Sequence, residues 1–349
     1  MLKYNRKALL FCALVVSVIA LELKSEASEY ETEQKKMVLF VAGRNNSNCY
    51  KKNLDSIFAQ KYDNYKVIYV DDASTDGTGA LVKSYIEERD LQDKVVLILN
   101  KERQYKLTNQ YNAIHTLCDN KDIVVELDAD DWFACDYALS YLNQTYADPK
   151  IWLTYGTFTY WPSGKPGYSC DVPEKYRRGN LRDFGFQYAG LRTYYAGLFK
   201  LIRKEDLIYS GEDDEFNGCF FPIASDNAIM YALMDMCKNK HFKFIEEVLH
   251  ICNRDRSGLY SERMRKVWRE IEIIAKNMPR YPALKFSLWD FDLSKVMISK
   301  LLSDPNYGVH RPKGKPKKRS RVFSCKKPRK RKKNRKNQKT LDMDETKLI

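Results

Sequence analysis

From Met37 onward the chain alternates short apolar runs with longer stretches that are apolar on one face only. Met37-Val38-Leu39-Phe40-Val41-Ala42 is apolar without a break, which predicts a strand buried on both faces. Asn48 predicts the cap of a helix that continues through Gln60. Lys66 to Val70 predicts a second strand. Leu81, Val82, Tyr85 and Ile86 then mark one face of a second helix. Val95 to Leu99 reads as a third strand, Tyr105 to Cys118 as a third helix, and Ile123 to Leu127 as a fourth strand. Strands of about five residues between helices of ten or more predict βαβ units, hence an α/β fold built on a mostly parallel sheet. Further on, Met264, Val267, Ile271, Ile274 and Met278 recur three and four apart and predict an amphipathic helix packed on the body.

Composition narrows the class. A chain of 349 residues that is 44% hydrophobic can bury a substantial core, which excludes wholesale disorder and a collagen-like fibre. The formal charge of +14 is misleading, because residues 311–339 hold 17 Lys or Arg and no acid, and +14 less those 17 leaves −3 for the rest. A basic pI therefore says nothing about the body. The stretch itself predicts a disordered polybasic tail, suited to nucleic acid or to an anionic membrane. Lys326-Lys327-Pro328-Arg329-Lys330-Arg331-Lys332-Lys333 is also of the nuclear-localisation type.

At the other end, Lys3, Arg6 and Lys7 precede a run from Ala8 to Leu21 that only Ser17 interrupts, and Ser25-Glu26-Ala27 supplies small residues at a cleavage spacing. The run is short of the ~20 residues that span a bilayer. It reads as a signal peptide, or as a short signal-anchor, directing the chain to the secretory pathway, to export or to a membrane. Of nine cysteines, Cys12 lies in this segment; the other eight include no C-x-x-C pair, so buried thiols are expected ahead of a zinc site. The organisation expected is a leader over 1–27, a linker over 28–36, a body in two halves over 37–150 and 151–305, and the tail over 306–349.

The chemistry is concentrated where strands end. Asp71-Asp72 closes the second strand, and Asp128-Ala129-Asp130-Asp131 closes the fourth. Ligands of open α/β sheets bind at the carboxyl ends of the strands. No glycine-rich phosphate loop of either common type is present. Carboxylates at a strand end can instead hold Mn²⁺ or Mg²⁺ through one or two oxygens and leave the other positions to phosphate and water.

These stretches resemble family 2 glycosyltransferases of the GT-A fold, inverting transferases that use nucleotide-diphospho-sugars. The resemblance lies in Val67-Ile-Tyr-Val-Asp71-Asp72-Ala-Ser-Thr-Asp76-Gly-Thr and in Ile123-Val-Val-Glu-Leu-Asp128-Ala-Asp130-Asp131-Trp132. It extends to Leu191-Arg192-Thr193 with the residues through Lys200, to Ala224-Ser225-Asp226-Asn227-Ala228, and to a strand expected from His241 onward. It implies that Asp72 contacts the nucleotide base and that Asp128 and Asp130 form the D-x-D motif at ribose, diphosphate and metal. Asp130 would be the direct metal ligand, with Asp131 in support. Asp226 is implied as the catalytic base. Asn45 belongs to the turn that closes the first strand, on the donor side. One departure is Arg44, which stands in that turn where the family has an aromatic residue.

Other residues keep two readings. Asp226 precedes the helical spacing Ile229, Leu233, Met236, so it also suits a helix N-terminus, where a carboxylate is stabilised. Arg192 suits the diphosphate, an acceptor hydroxyl or a structural ion pair. His250 suits a third metal ligand or a strand-end histidine. Trp152, Tyr155, Tyr160 and Trp161 suit sugar stacking or the core. Glu212, Asp213, Asp214 and Glu215 read as a solvated acidic loop. The expected function is metal-dependent, inverting sugar transfer from a nucleotide-diphosphate sugar donor to a hydroxyl on a glycan, protein or lipid acceptor. The rival is a GT-A-like binding protein without activity whose tail binds nucleic acid or anionic membrane. A nucleotidyltransferase with similar acidic clusters is a third reading.

Overall fold

A computed structural model describes residues 33–238, 240–255 and 261–284. The leader (1–27), the first part of the linker, the end of the second half of the body and the polybasic tail (306–349) lie outside the described residues. Among the described residues, no helix is long and apolar enough to cross a membrane.

The first apolar run forms β1 (Met37–Gly43), buried along nearly its whole length. It pairs in parallel with β2 (Tyr65–Asp71) on one side and with β4 (Ile123–Asp128) on the other. Beyond β2 lies β3 (Val95–Leu99), also parallel. The helices Tyr50–Phe58, Thr78–Glu88 and Tyr105–Leu117 make the crossovers. This half follows the apolar pattern closely, because β1, β2 and β4 are covered on both faces and so are largely apolar, while the edge strand β3 buries only Val95 fully.

Past β4 the direction changes. β8 (Arg192–Tyr195) runs antiparallel to both β4 and β6 (Leu153–Gly156), and β9 (Phe242–Ile245) returns parallel to β6. The order is β3-β2-β1-β4-β8-β6-β9. A second sheet, absent from the expectations, joins β5 (Trp132–Phe133), β10 (His250–Asn253) and β7 (Thr159–Trp161) in the order β5-β10-β7. Strands of two to four residues are too short to show a period in the sequence.

Some expectations are corrected here. Asn48 does not cap the first helix. The helix begins at Tyr50 after Cys49, and the backbone carbonyl of Asn46 accepts from the N–H groups of both. Trp152 and Tyr155 are fully buried in the core, whereas Trp161 is exposed. The acidic loop is not simply solvated: Arg263 pairs with Asp213 and Glu215, and Lys266 with Glu212. Those cations belong to the amphipathic helix Glu262–Asn277, which buries Val267, Ile271 and Ala275 and is capped by the Ser261 hydroxyl. It packs on the helix Ser225–Cys237, which beyond its polar first turn and Asp235 is apolar and almost wholly buried. Cys118 and Cys237 are buried thiols, and burial pushes the Cys118 thiol up to about 12.

Candidate active site

The parallel register brings the acidic clusters side by side. Gly43, the last residue of β1, lies opposite Asp71 of β2, and the preceding Ala42 lies opposite Asp128 of β4. Only glycine fits at 43: a Cβ there would stand 2.5 Å from the Ala129 Cβ and 2.9 Å from Asn46 Oδ1. Ala129, the middle residue of the D-x-D motif, therefore faces β1 and has to be small.

The residues expected on the donor side organise loops. The buried Asp72 carboxylate accepts from Asn100 Nδ2 (2.9 Å), Asn109 Nδ2 (3.0 Å) and the backbone N–H groups of Gln104 (2.8 Å) and Tyr105 (2.9 Å). It thereby pins the start of the helix Tyr105–Leu117, where Tyr105 adopts a left-handed backbone (φ 63°). A cavity of about 500 Å³ opens beside this loop, lined in part by Asn100, Gln104 and Asn109. Asn45, also left-handed, donates its N–H to the Ser74 hydroxyl (2.8 Å) and accepts from the Thr75 N–H (2.8 Å). Arg44 reaches the carbonyl of Ala73 (3.2 Å). Desolvation works to raise the Asp76 carboxyl. Hydrogen bonds from Thr78 and Ser47 overcome it and hold the group well below the usual carboxylate range.

At the end of β4, five charged side chains form a continuous network. Lys106, on the helix Tyr105–Leu117, pairs with Asp128 and lies 3.7 Å from Glu126 Oε2. Glu126 is buried and also accepts from Gln110 Nε2 (2.7 Å), the Tyr194 hydroxyl (2.7 Å) and both Nε and an Nη of Arg192 (3.2 Å each). The other Nη of Arg192 lies 3.6 Å from Asp226 Oδ2. Burial alone would raise the Glu126 carboxyl, but the charges of Arg192 and Lys106 and the Tyr194 hydrogen bond hold it below its ordinary value. Asp128 is depressed against the same penalty by Lys106 and Arg192. Burial disfavours the Lys106 ammonium, and Asp128 and Glu126 overcome this to raise its pKa.

Asp226 stands in the first turn of the helix Ser225–Cys237, after Ala224 in the left-handed region (φ 52°). Its Oδ1 accepts from the N–H of Asn227 (3.1 Å). Asp226 and Asp128 thus lie on one charged network, Asp128 through Lys106 and Asp226 through Arg192, although 98 residues separate them. Of the readings of Arg192, the structure displays the ion pair, with Glu126, and sets the same guanidinium against Asp226.

Asp131 has a different task from the one expected beside a metal. One oxygen accepts from the Asn253 N–H and the other bonds His250 Nε2, each at 2.8 Å, which ties the D-x-D turn to β10. His250 is correspondingly buried against Asp131 and packs 6.0 Å from the Phe158 ring. Among the described residues, no group of three or more His, Cys, Asp or Glu is arranged to hold a metal ion. The donor set still suits a hard divalent cation. Asp128 already presents its carboxylate to a cation, and Mg²⁺ or Mn²⁺ asks for only one or two carboxylates when phosphate completes the shell.

Lys106 was not anticipated from the sequence. Its signal was the i,i+4 spacing with Gln110, which sets two polar side chains on the helix face that covers Glu126.

A parallel half-sheet with carboxylates at adjacent strand ends, joined to an antiparallel half that supplies Asp226, is the GT-A class of architecture. Residues 40–207 match the family model described as Glycosyl transferase family 2. The chain is 30% identical over 197 residues to Glycosyltransferase GlyA of Streptococcus pneumoniae. That match takes in 52% of this chain but spans only 27% of the relative. Among solved structures, the chain is similar to Staphylococcus aureus TarS in complex with UDP-GlcNAc, at 15% identity and TM-score 0.48, covering 68% of this chain and 66% of that one. It is also similar to the Pyrobaculum calidifontis mannosyltransferase PcManGT in complex with GDP-Man and Mn²⁺, at 18% identity and TM-score 0.44, covering 67% and 61%.

Proposed function

We propose that the chain transfers a sugar from a nucleotide-diphosphate donor to an acceptor hydroxyl with inversion, and that Asp226 is the general base. The observation that carries this reading is the network joining Asp128 to Asp226 through Lys106, Glu126 and Arg192. It gives one small site a cation-binding edge and, across it, a carboxylate held in place.

In this reading the donor lies over the ends of β1, β2 and β4. The loop that Asp72 pins, with Asn45, forms the wall beside the base. Asp128 and Asp130 would hold Mn²⁺ or Mg²⁺, which when bound stabilises the negative charge of the diphosphate. Lys106 and Arg192 add fixed positive charge at the same end, where it needs no reorganisation during the reaction. The Asn227 N–H and Arg192 orient Asp226, and its side chain, 30% exposed, remains reachable. Asp226 takes the proton of the acceptor hydroxyl as that oxygen attacks the anomeric carbon. The glycosyl–phosphate bond breaks on the opposite face, so the configuration inverts and no enzyme-bound sugar intermediate forms.

The test is Asp226→Asn assayed with a panel of UDP- and GDP-sugars. Transfer should fall by roughly 10²- to 10⁴-fold, the range expected for loss of a positioned base. Nucleotide affinity, read by calorimetry, should stay within about twofold, well under the tenfold that 1.4 kcal/mol represents. Transfer at the wild-type rate would remove Asp226 from the role.

A further inference from the structure

The last strand of the second sheet carries rings on both sides. Phe158 and Tyr160, two residues apart, stand together with ring centroids 5.1 Å apart. Trp161 points the other way, onto Trp132 (6.0 Å), and the Lys52 ammonium covers that pair at 3.6 Å from one ring and 4.1 Å from the other. On the Phe158 side the chain turns back through residues 162–166, and Tyr168 sets its ring edgewise to Phe158 (5.7 Å). Gly167 permits the return: a Cβ there would lie 2.4 Å from the Phe158 ring. Arg254 closes the row, stacked on Tyr160 at 4.3 Å and donating to its hydroxyl at 2.9 Å.

This row leads to the D-x-D turn, since Phe158 packs on His250 and His250 bonds Asp131. At its outer end the row also feels the charge of the proposed base. Desolvation first, and the charge of Asp226 second, raise the pKa of the Tyr168 phenol, while Arg192 acts on it in the opposite sense. Even so, 46% of Tyr168 is exposed, in a body whose other large rings are mostly internal. What distinguishes Tyr168 from other exposed rings is its setting, a second ring and a guanidinium in one row that leads to the D-x-D turn.

We propose that Tyr168, with Tyr160 and Arg254 at its edge, is the acceptor subsite, and that the acceptor it takes is a saccharide. This rests on the reading of Asp226 as the base. A sugar ring offers a flat C–H face that packs on an aromatic ring and a rim of hydroxyls that suits a phenol and a guanidinium. An unstructured peptide or a lipid chain matches only one of these features. A ring held on Tyr168 would present a hydroxyl toward Asp226.

The experiment uses the full chain with UDP or GDP and Mn²⁺. The probes are chitotetraose, cellotetraose, mannotetraose and a Ser/Thr-containing peptide, followed by saturation-transfer NMR and by acceptor KM. At least one tetrasaccharide should bind. Tyr168→Ala should weaken it by roughly three- to tenfold, the value of one aromatic contact. Tyr168→Phe should stay within about twofold because the ring remains. Trp161→Ala is the control, since Trp161 is equally exposed, at 45%, but lies on the other face; it should leave acceptor binding unchanged. If Tyr168→Ala does not fold, Tyr168→Leu removes the ring while keeping the bulk. Peptide binding without saccharide binding, no saccharide binding at all, or equal loss in the Trp161 variant would overturn the proposal. Nucleotide affinity, read in parallel, separates the two ideas. Loss of the Tyr168 effect with donor binding and the Asp226 dependence intact sinks only the subsite. Wild-type transfer by Asp226→Asn with the Tyr168 effect intact sinks only the base.

Discussion

Glu126 is the residue on which the charged network converges, yet it touches neither end of the proposed reaction. It is buried to 3% exposure with two cations and two neutral donors around it. Removing one member of such a group leaves buried charge uncompensated. Glu126→Leu should therefore cost about 3–5 kcal/mol in chemical denaturation. Glu126→Gln keeps the shape and should cost less. The pH dependence follows from the direction of the shift. A carboxyl held below its unfolded value contributes stability that is complete above the unfolded pKa and is lost as pH falls toward the folded one. The wild-type protein should accordingly lose stability on acidification more steeply than Glu126→Gln, and a slope unchanged by the substitution would show the network to be energetically idle. At this scale the sequence disclosed residues whose position was local. Asp72, Asp128 and Asp226 were legible because an acid directly follows an apolar run or opens a helical one. Lys106 was not, since its partners lie 20 and 22 residues further along, on another element. Asp131 was read by adjacency to Asp130, whereas its actual partners are 119 and 122 residues away on β10.

Among elements, the contact between β1 and the D-x-D turn sets the tightest constraint. Gly43→Ala would place a methyl group 2.5 Å from the Ala129 Cβ, and neither backbone can move without disturbing a parallel pairing. We expect a loss of about 1–3 kcal/mol, the usual cost of overpacking. In the double variant Gly43→Ala/Ala129→Gly the clash is relieved, and stability should partly return; a thermodynamic cycle measured by urea denaturation checks the coupling. Simple additivity of the two losses would contradict the contact. Of the parallel strands, β1, β2 and β4 were readable because two-sided burial imposes near-continuous apolarity, and β3 because its run Val95–Leu99 is apolar although it lies at the edge. The antiparallel half was less so. β6 and β8 are four residues each, and β8 contains the charged Arg192, whose burial is made tolerable by Glu126 on the neighbouring strand. Nothing local to β5, β7 or β10 announced a sheet.

On the scale of the whole molecule, two halves of different origin in the chain meet at the charged network. The first supplies Lys106, Glu126 and Asp128 from elements before residue 130; the second supplies Arg192 from β8 and Asp226 from the helix beyond it. The amphipathic helix Glu262–Asn277 backs that second helix through Val267, Ile271 and Ala275, so the carboxylate proposed as base rests on a well-packed support. If a divalent cation serves the reaction, its removal should act on turnover and leave this architecture intact. Incubation with EDTA should abolish transfer while the midpoint of thermal unfolding, measured without nucleotide, moves by less than about 2 °C, since a structural ion would contribute several times that. A large drop in the midpoint would mean that the ion is part of the scaffold.

The pairing of Lys106 with Asp128 gives this expectation a kinetic side. The ammonium neutralises the Asp128 carboxylate from the moment the sheet closes. The polypeptide can therefore reach its finished form before any inorganic partner arrives, and such a partner need take no part in folding.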